Sequence, residues 1–189
     1  QISLAKHFLP GDEGMPDLPG SGRYIAIPQG ATPVLHIKSV RKEVYRDINL
    51  APAPRIPKDN ERGPLEYNKN SKTYTSDAFY PAEPVKLSEM TKVRGVDAVI
   101  LGITPFQYNP VTKELIVLRD LVVEVEFSGG TGQFGDERLR SRWWDPLLSD
   151  IFLNYKQLPI IDYTSRQLAV SSEQSMGNRS TGYEYLIIC

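Results

Sequence analysis

The chain has 189 residues, 40% of them hydrophobic and 24% charged, a length that suits one domain with or without a tail and a composition from which a core can form. Its 22 Lys and Arg against 23 Asp and Glu leave a formal net charge of −1, which gives no reason to expect nucleic acid or an anionic membrane surface as partner. The 14 glycines and 15 prolines, with plentiful Tyr and Phe, favour short strands joined by punctuated turns.

The sequence begins at Gln1 rather than Met, which predicts a trimmed chain whose leader has been lost. Residues 1–22 are turn-rich, with Pro10-Gly11, Pro16, Pro19-Gly20 and Gly22. Arg23 to Pro28 reads as a short strand stopped by proline, and Gln29 to Pro33 as a turn. From Val34 a second strand places Leu35 and Ile37 on one face and His36 and Lys38 on the other. The segment Val40 to Ile48 alternates less cleanly, which predicts a bulge or a further strand. Residues 51–84 are rich in proline and charge and poor in aliphatics. Loops beyond about 12–15 residues are uncommon in compact domains and are usually functional or disordered. This segment is therefore the first place to look for function.

Order returns at Val85. Arg94 to Thr104 reads as a strand apolar on both faces at its centre, Asn109 to Thr112 as a tight turn, and Leu115 to Phe127 as a long strand. The two strands are expected to form a hairpin. Val123, Val125 and Phe127 alternate with Glu124 and Glu126, one buried and one wet face. A Gly-rich loop, Gly129 to Gly132, leads into a basic run at Arg138, Arg140 and Arg142. Asp145-Pro146 then predicts a helix start, with Asp145 as N-cap. Leu147, Leu148, Ile151, Phe152 and Tyr155 extend it as an amphipathic helix of about three turns. Residues 164–182 are polar and Ser-rich, a linker by composition, and Tyr183 to Cys189 reads as a new hydrophobic strand.

Catalytic chemistry is hard to place on these residues. Nucleophilic catalysis needs a nucleophile with a base in reach, and the histidines are His7, in an irregular tail, and His36, outward on a strand. Cys189 lies on an apolar strand, as a small hydrophobe rather than a reactive thiolate. One cysteine and two distant histidines make no closed zinc site. The Gly129–Gly132 run precedes no helix start that could cradle phosphate. Asp12-Glu13 and Asp136-Glu137 read as solvated turn charges. No cofactor or metal is expected. Trp143-Trp144 beside the arginines admits two readings, glycan or ligand stacking, or a tryptophan that staples the helix start to the sheet beside solvated arginines. The residues alone point to a β-rich binding or folding module.

A series of motifs resembles the pro-regions of gingipain-type cysteine peptidases. It runs Gly14-Met15-Pro16-Asp17-Leu18-Pro19, Ala51-Pro52, Asp77-Ala78-Phe79-Tyr80-Pro81 and Arg94-Gly95. The block Gln107-Tyr108-Asn109-Pro110-Val111-Thr112-Lys113 and the closing Phe152-Leu153-Asn154-Tyr155 complete it, within roughly residues 11–158. The resemblance implies an all-β fold, an antiparallel β-sandwich with one short C-terminal helix over residues 1–158. It implies a linker over 159–182, and over 183–189 the first strand of a caspase-like catalytic domain whose own His and Cys lie beyond Cys189. It implies no enzyme in this chain, but a pro-region that inhibits and assists the folding of its own peptidase domain, without membrane insertion. The parent would be secreted, passing the periplasm to the cell surface or the exterior of a Bacteroidetes-type bacterium. The long loop, about 52–80, would lie across the active-site cleft and fill the specificity pocket. Lys58 or Asp59 falls at the pocket position, with Arg55 and Arg62 as alternatives after a small shift. Lys156, Arg166 and Arg179 are the processing candidates. Two other readings remain: a permanent structural N-terminal domain of a surface or sortase-like relative, and a glycan- or protein-binding β-sandwich using Trp143 and Trp144.

Overall fold

The computed structural model describes residues 11–163. Its strands form two antiparallel sheets. The first sheet is built on β5 (Val96–Ile103), with β1 (Ser21–Ile27) along one edge. The other edge of β5 is shared in tandem by β3 (Val85–Leu87) and β4 (Thr91–Val93). The second sheet has the order β2-β7-β6, with β2 spanning Ala31–Tyr45, β6 Phe106–Asn109 and β7 Glu114–Gly129. This is the expected β-sandwich.

Alternation explains why the first sheet is apolar on both sides. Ile25, Ile27, Val99 and Leu101 face the second sheet and pack with Leu35, Leu121, Val123, Val125 and Phe127. Ala26, Val96 and Ala98 face the other way, where Phe134, Leu148, Phe152 and Leu158 cover them. The C-terminal segment is thus a third layer, and the small side chains at 26 and 98 let it approach closely. A further cluster, Leu18, Leu50, Phe106, Tyr108, Leu115 and Val117, lies beneath the long loop.

Several expectations are corrected. The strand from Arg94 does not pair with the strand from Leu115. Pro105 separates β5 from β6, and the hairpin around Asn109–Lys113 is β6 with β7, in the other sheet. Arg94 and Gly95 are not strand residues but the two-residue loop between β4 and β5. Both have positive φ, 50° and 78°, the signature of a type I′ hairpin turn. The expected irregularity in β2 is a pair of register shifts around Ser39, and the strand then continues to Tyr45. Ile37, expected inward beside Leu35, is half exposed. β2 and β7, at 15 and 16 residues, outrun the 7- and 8-residue β1 and β5, so part of the ribbon has no facing sheet.

Two α-helices are formed among the described residues. α1 (Ser71–Thr75) lies inside the long loop, and α2 (Asp145–Ile151) is the C-terminal helix. α2 has 7 residues, about two turns, rather than three. It stops because Phe152 turns extended to lie beside Tyr24 of β1, and Leu153 N–H donates to Tyr24 C=O at 2.9 Å. Asp145 is not its N-cap. Trp144 is, without a side-chain cap, because Arg140 occupies the Asp145 carboxylate. Cys189, the strand expected over 183–189 and most of the linker lie outside the described residues, as does His7.

Candidate functional site: a pinned, projecting loop

The long loop leaves the second sheet after Tyr45 and returns at β3. Its two ends are fixed and its middle is not covered. At the entry, Pro52 bridges to Pro16, Ala53 N–H donates to Met15 C=O at 2.7 Å, and Gly14 N–H donates to Ala53 C=O at 3.0 Å. At the exit side of the bare stretch, Asn70 N–H donates to Gly14 C=O at 2.9 Å. Gly14 therefore holds both flanks. Its φ of 77° and the 2.8 Å between a Cβ there and Asn68 C=O admit only glycine.

The block Gln107-Tyr108-Asn109 fixes the wider frame. The Tyr108 hydroxyl donates to Ile48 C=O at 2.8 Å and accepts from Leu50 N–H, at the loop's beginning. Its backbone exchanges two hydrogen bonds with Tyr80, at the loop's end. Gln107 donates to Pro81 C=O at 2.9 Å, and Asn109 Nδ2 donates to Asp77 Oδ1 at 2.8 Å. Asn109 Oδ1 also accepts from Val111 and Thr112 N–H, which shapes the β6–β7 turn. α1 adds a prop: Tyr74, its phenol pushed up to about 12 by burial, donates to Leu50 C=O at 3.3 Å.

Between these anchors, residues 56–70 are exposed throughout. Ile56, Leu65 and Tyr67 are large apolar side chains in water, with Ile56 at 69% exposure. The tip is nevertheless ordered by its own bonds. Glu61 N–H donates to Lys58 C=O at 2.9 Å, closing a turn over Asp59 and Asn60. The Glu61 carboxylate accepts from Lys58 N–H at 3.2 Å and from the Arg55 guanidinium at 2.8 Å. Arg55 holds that carboxyl below its usual range.

Of the four loop residues singled out by sequence, Arg55 is engaged with Glu61 and Glu66 inside the loop. Lys58 and Asp59 project at the turn, and Arg62 is exposed just after it. Lys58, Asp59 and Arg62 can therefore reach a partner, whereas Arg55 braces the loop.

Lys156 is exposed but sits in the 3-10 turn Tyr155–Gln157, flanked by Asn154 and buried Leu158. Arg166 and Arg179 lie outside the described residues. His36 is on the solvent side of β2, 3.4 Å from Glu126. Among the described residues no His, Cys, Asp or Glu cluster could hold a metal, and no helix is long and apolar enough to cross a membrane.

Sequence reasoning missed the anchors. Arg140, expected in a solvated basic run, is only 4% exposed. It donates two hydrogen bonds to Asp145, at 3.0 and 2.7 Å, and a third to Pro159 C=O. The neighbouring Asp145-Pro146 is legible as a helix start but not as an ion-pair partner. Neither tryptophan is buried as a staple: Trp143 is 73% exposed and Trp144 40%.

The chain matches the Propeptide_C25 family over residues 1–157. It belongs to that family. Among curated relatives of this propeptide, it is 31% identical over 164 residues to Lys-gingipain HG66 of Porphyromonas gingivalis, a match covering 83% of this chain and 9% of the relative. The chain thus spans about a tenth of the length of the Lys-gingipains it matches. Solved structures also resemble the propeptide. The complex of Porphyromonas gingivalis RgpB pro- and mature domains matches with TM-score 0.69 at 24% identity, over 82% of this chain and 79% of that one, and carries the fold. The structure describing zymogenic latency of gingipain K from the same organism matches with TM-score 0.54 at 29% identity, over 66% and 71% of the two chains.

Proposed function

We propose that this chain is the pro-region of a gingipain-like cysteine peptidase, which keeps its own peptidase domain latent by laying the loop of residues 52–80 over the active-site cleft and assists its folding. The observation that carries this reading is the loop itself. It is clamped at both ends, ordered at its tip, and bare along a stretch that exposes Ile56, Leu65 and Tyr67. A preordered segment binds a cleft with less entropic penalty than a free peptide. Apolar side chains held in water along such a segment have reason to be covered by a partner. Family membership and the likeness to a structure of gingipain K latency support the same conclusion.

Lys58 is the proposed pocket residue. Its side chain leaves the turn unpaired among the described residues, while its backbone is fixed at both N–H and C=O. Arg55 is the less suitable candidate because Glu61 and Glu66 hold it. Asp59 and Arg62 are the alternatives at the same tip. The chain acts as inhibitor rather than enzyme, and the catalytic residues belong to the peptidase domain. Residues 159–182 are the proposed linker, and 183–189 the proposed first strand of that domain. Lys156, Arg166 and Arg179 are the proposed processing sites, and the turn that carries Lys156 is held between Asn154 and Leu158. The parent is secreted through the periplasm to the cell surface or beyond.

The test is to titrate the purified chain against its own peptidase domain, with substrates ending in Lys, Arg or Asp. The reading predicts stoichiometric inhibition, weakened by Lys58→Ala. A peptidase left fully active by micromolar chain would refute it.

A further inference from the structure

The α2 end of the molecule carries a second unpartnered surface, remote in sequence from the loop. Trp143 and Trp144 precede α2, and Leu147 lies one helical turn on. All three are exposed, as is Leu139. Leu139 packs against Gly95, where a Cβ would come within 2.5 Å of its Cδ1, and the adjoining Arg94 guanidinium stacks on Trp144, 3.7 Å from the ring centroid. Arg142 stacks on Trp143 at 4.5 Å. The β4–β5 turn and the α2 start therefore form one continuous patch.

Its charges are unequal. Arg138 and Arg140 take Asp136 and Asp145. Arg94 and Arg142 meet no carboxylate among the described residues. A guanidinium held over an indole face still has N–H donors that can grip a carboxylate in bidentate fashion. Exposed tryptophan and arginine are the side chains that dominate protein–protein contacts. The flanking leucines favour a protein over a sugar, because an aliphatic rim gains only from burial against apolar surface. A second copy of this chain would bring the same two unpaired guanidiniums to a self-complementary contact, like charge against like.

We propose that Trp143, Trp144, Leu139 and Leu147, with Arg94 and Arg142, form a second docking surface for the peptidase domain, seated on an apolar face of it that bears carboxylates. This rests on the pro-region reading, and it separates two tasks. The loop blocks the cleft, while the Trp–Arg patch holds the domain in place and sets how slowly it leaves.

The test measures binding and inhibition separately, using the chain and its peptidase domain, with Trp143→Ala, Leu147→Asp, Arg142→Glu and Lys58→Ala. Unchanged melting temperatures identify variants that fold normally, and Trp143→Ala, at a largely exposed position, is expected among them. The inference predicts that Trp143→Ala and Arg142→Glu each raise Kd about 10-fold or more, chiefly through faster dissociation, and that wild-type tryptophan emission shifts to the blue on binding. If the chain binds and the patch variants weaken it without any inhibition being present, docking stands and the cleft-blocking reading falls. If wild-type inhibits and every folded patch variant binds as tightly, the docking inference is overturned. Variants that abolish only self-association, or only binding to an acidic glycan, overturn it as well. If the chain does not bind the peptidase domain at all, both readings fall.

Discussion

At the scale of single residues, two buried polar groups carry more of the architecture than their neighbours suggest. Tyr108 is 2% exposed, and its hydroxyl links Ile48 and Leu50 at the start of the loop while its backbone links Tyr80 at the end. Replacing it with Phe keeps the ring and removes the bridge, leaving Ile48 C=O and Leu50 N–H short of a partner. The expected loss is about 1–2 kcal/mol in chemical denaturation, with faster proteolysis of the loop. Arg140 and Asp145 are the second case. Burial pushes the Asp145 carboxyl up, but the Arg140 guanidinium and phenol hydrogen bonds outweigh it and the carboxyl stays below its usual range. A depressed carboxyl contributes stability that is present above its unfolded value, about 3.9, and is lost as pH falls through the folded value. Arg140→Ala should therefore destabilise by about 3 kcal/mol near neutral pH, and much of that difference should vanish in thermal melts at the acid end of the stability curve. An equal deficit at all pH values would assign the effect to packing alone.

At the scale of elements, the C-terminal segment works as an edge cover. β1 lies at the margin of its sheet, and an open strand edge invites pairing with other chains. Asn154 closes it by mimicking a peptide group: Ala26 N–H donates to its Oδ1 and its Nδ2 donates to Ala26 C=O, both at 2.8 Å. Asn154→Ala should cost about 2 kcal/mol and increase concentration-dependent association by light scattering, whereas a merely local contact would leave association unchanged. Much of this layer is legible in the sequence and its partners are not. The spacing of Leu147, Leu148 and Ile151 announces a helix, but helical periodicity also runs on through Phe152, which the pull of β1 turns extended. Arg94-Gly95 reads as the start of a strand because strong β-formers follow. Only the short facing strand Thr91–Val93 makes it a turn. The expected hairpin fails for a similar reason, since the alternation in β5 and β7 does not say which sheet each joins, and Pro105 is where they part.

At the scale of the whole molecule, a rigid sandwich presents one long loop. That loop is the clearest signal in the sequence, because proline and charge replace aliphatics across it. What no pattern could show is that Gly14, Tyr108 and Asn109 tie its ends from distant parts of the chain. The Glu61 clip at the tip has a pH consequence. Arg55, with the Lys58 N–H, holds the Glu61 carboxyl low, so the clip persists above the ordinary carboxylate range of about 4.3 and is lost as pH falls through the lowered value. Inhibition should accordingly be level between about pH 5 and 8, the span free of carboxylate titration, and Glu61→Gln should weaken it across that span, read as Ki against pH.

The most direct measurement is hydrogen exchange on the loop, with and without the peptidase domain. In the free chain residues 56–70 are exposed, and their amides other than those of Lys58, Glu61 and Asn70 donate no hydrogen bond among the described residues. The account predicts that they become protected in the complex, and that the protection disappears when the peptidase cleft is first filled by a covalent active-site inhibitor. Loop amides that exchange as fast in the complex as in the free chain, while other regions become protected, would contradict it.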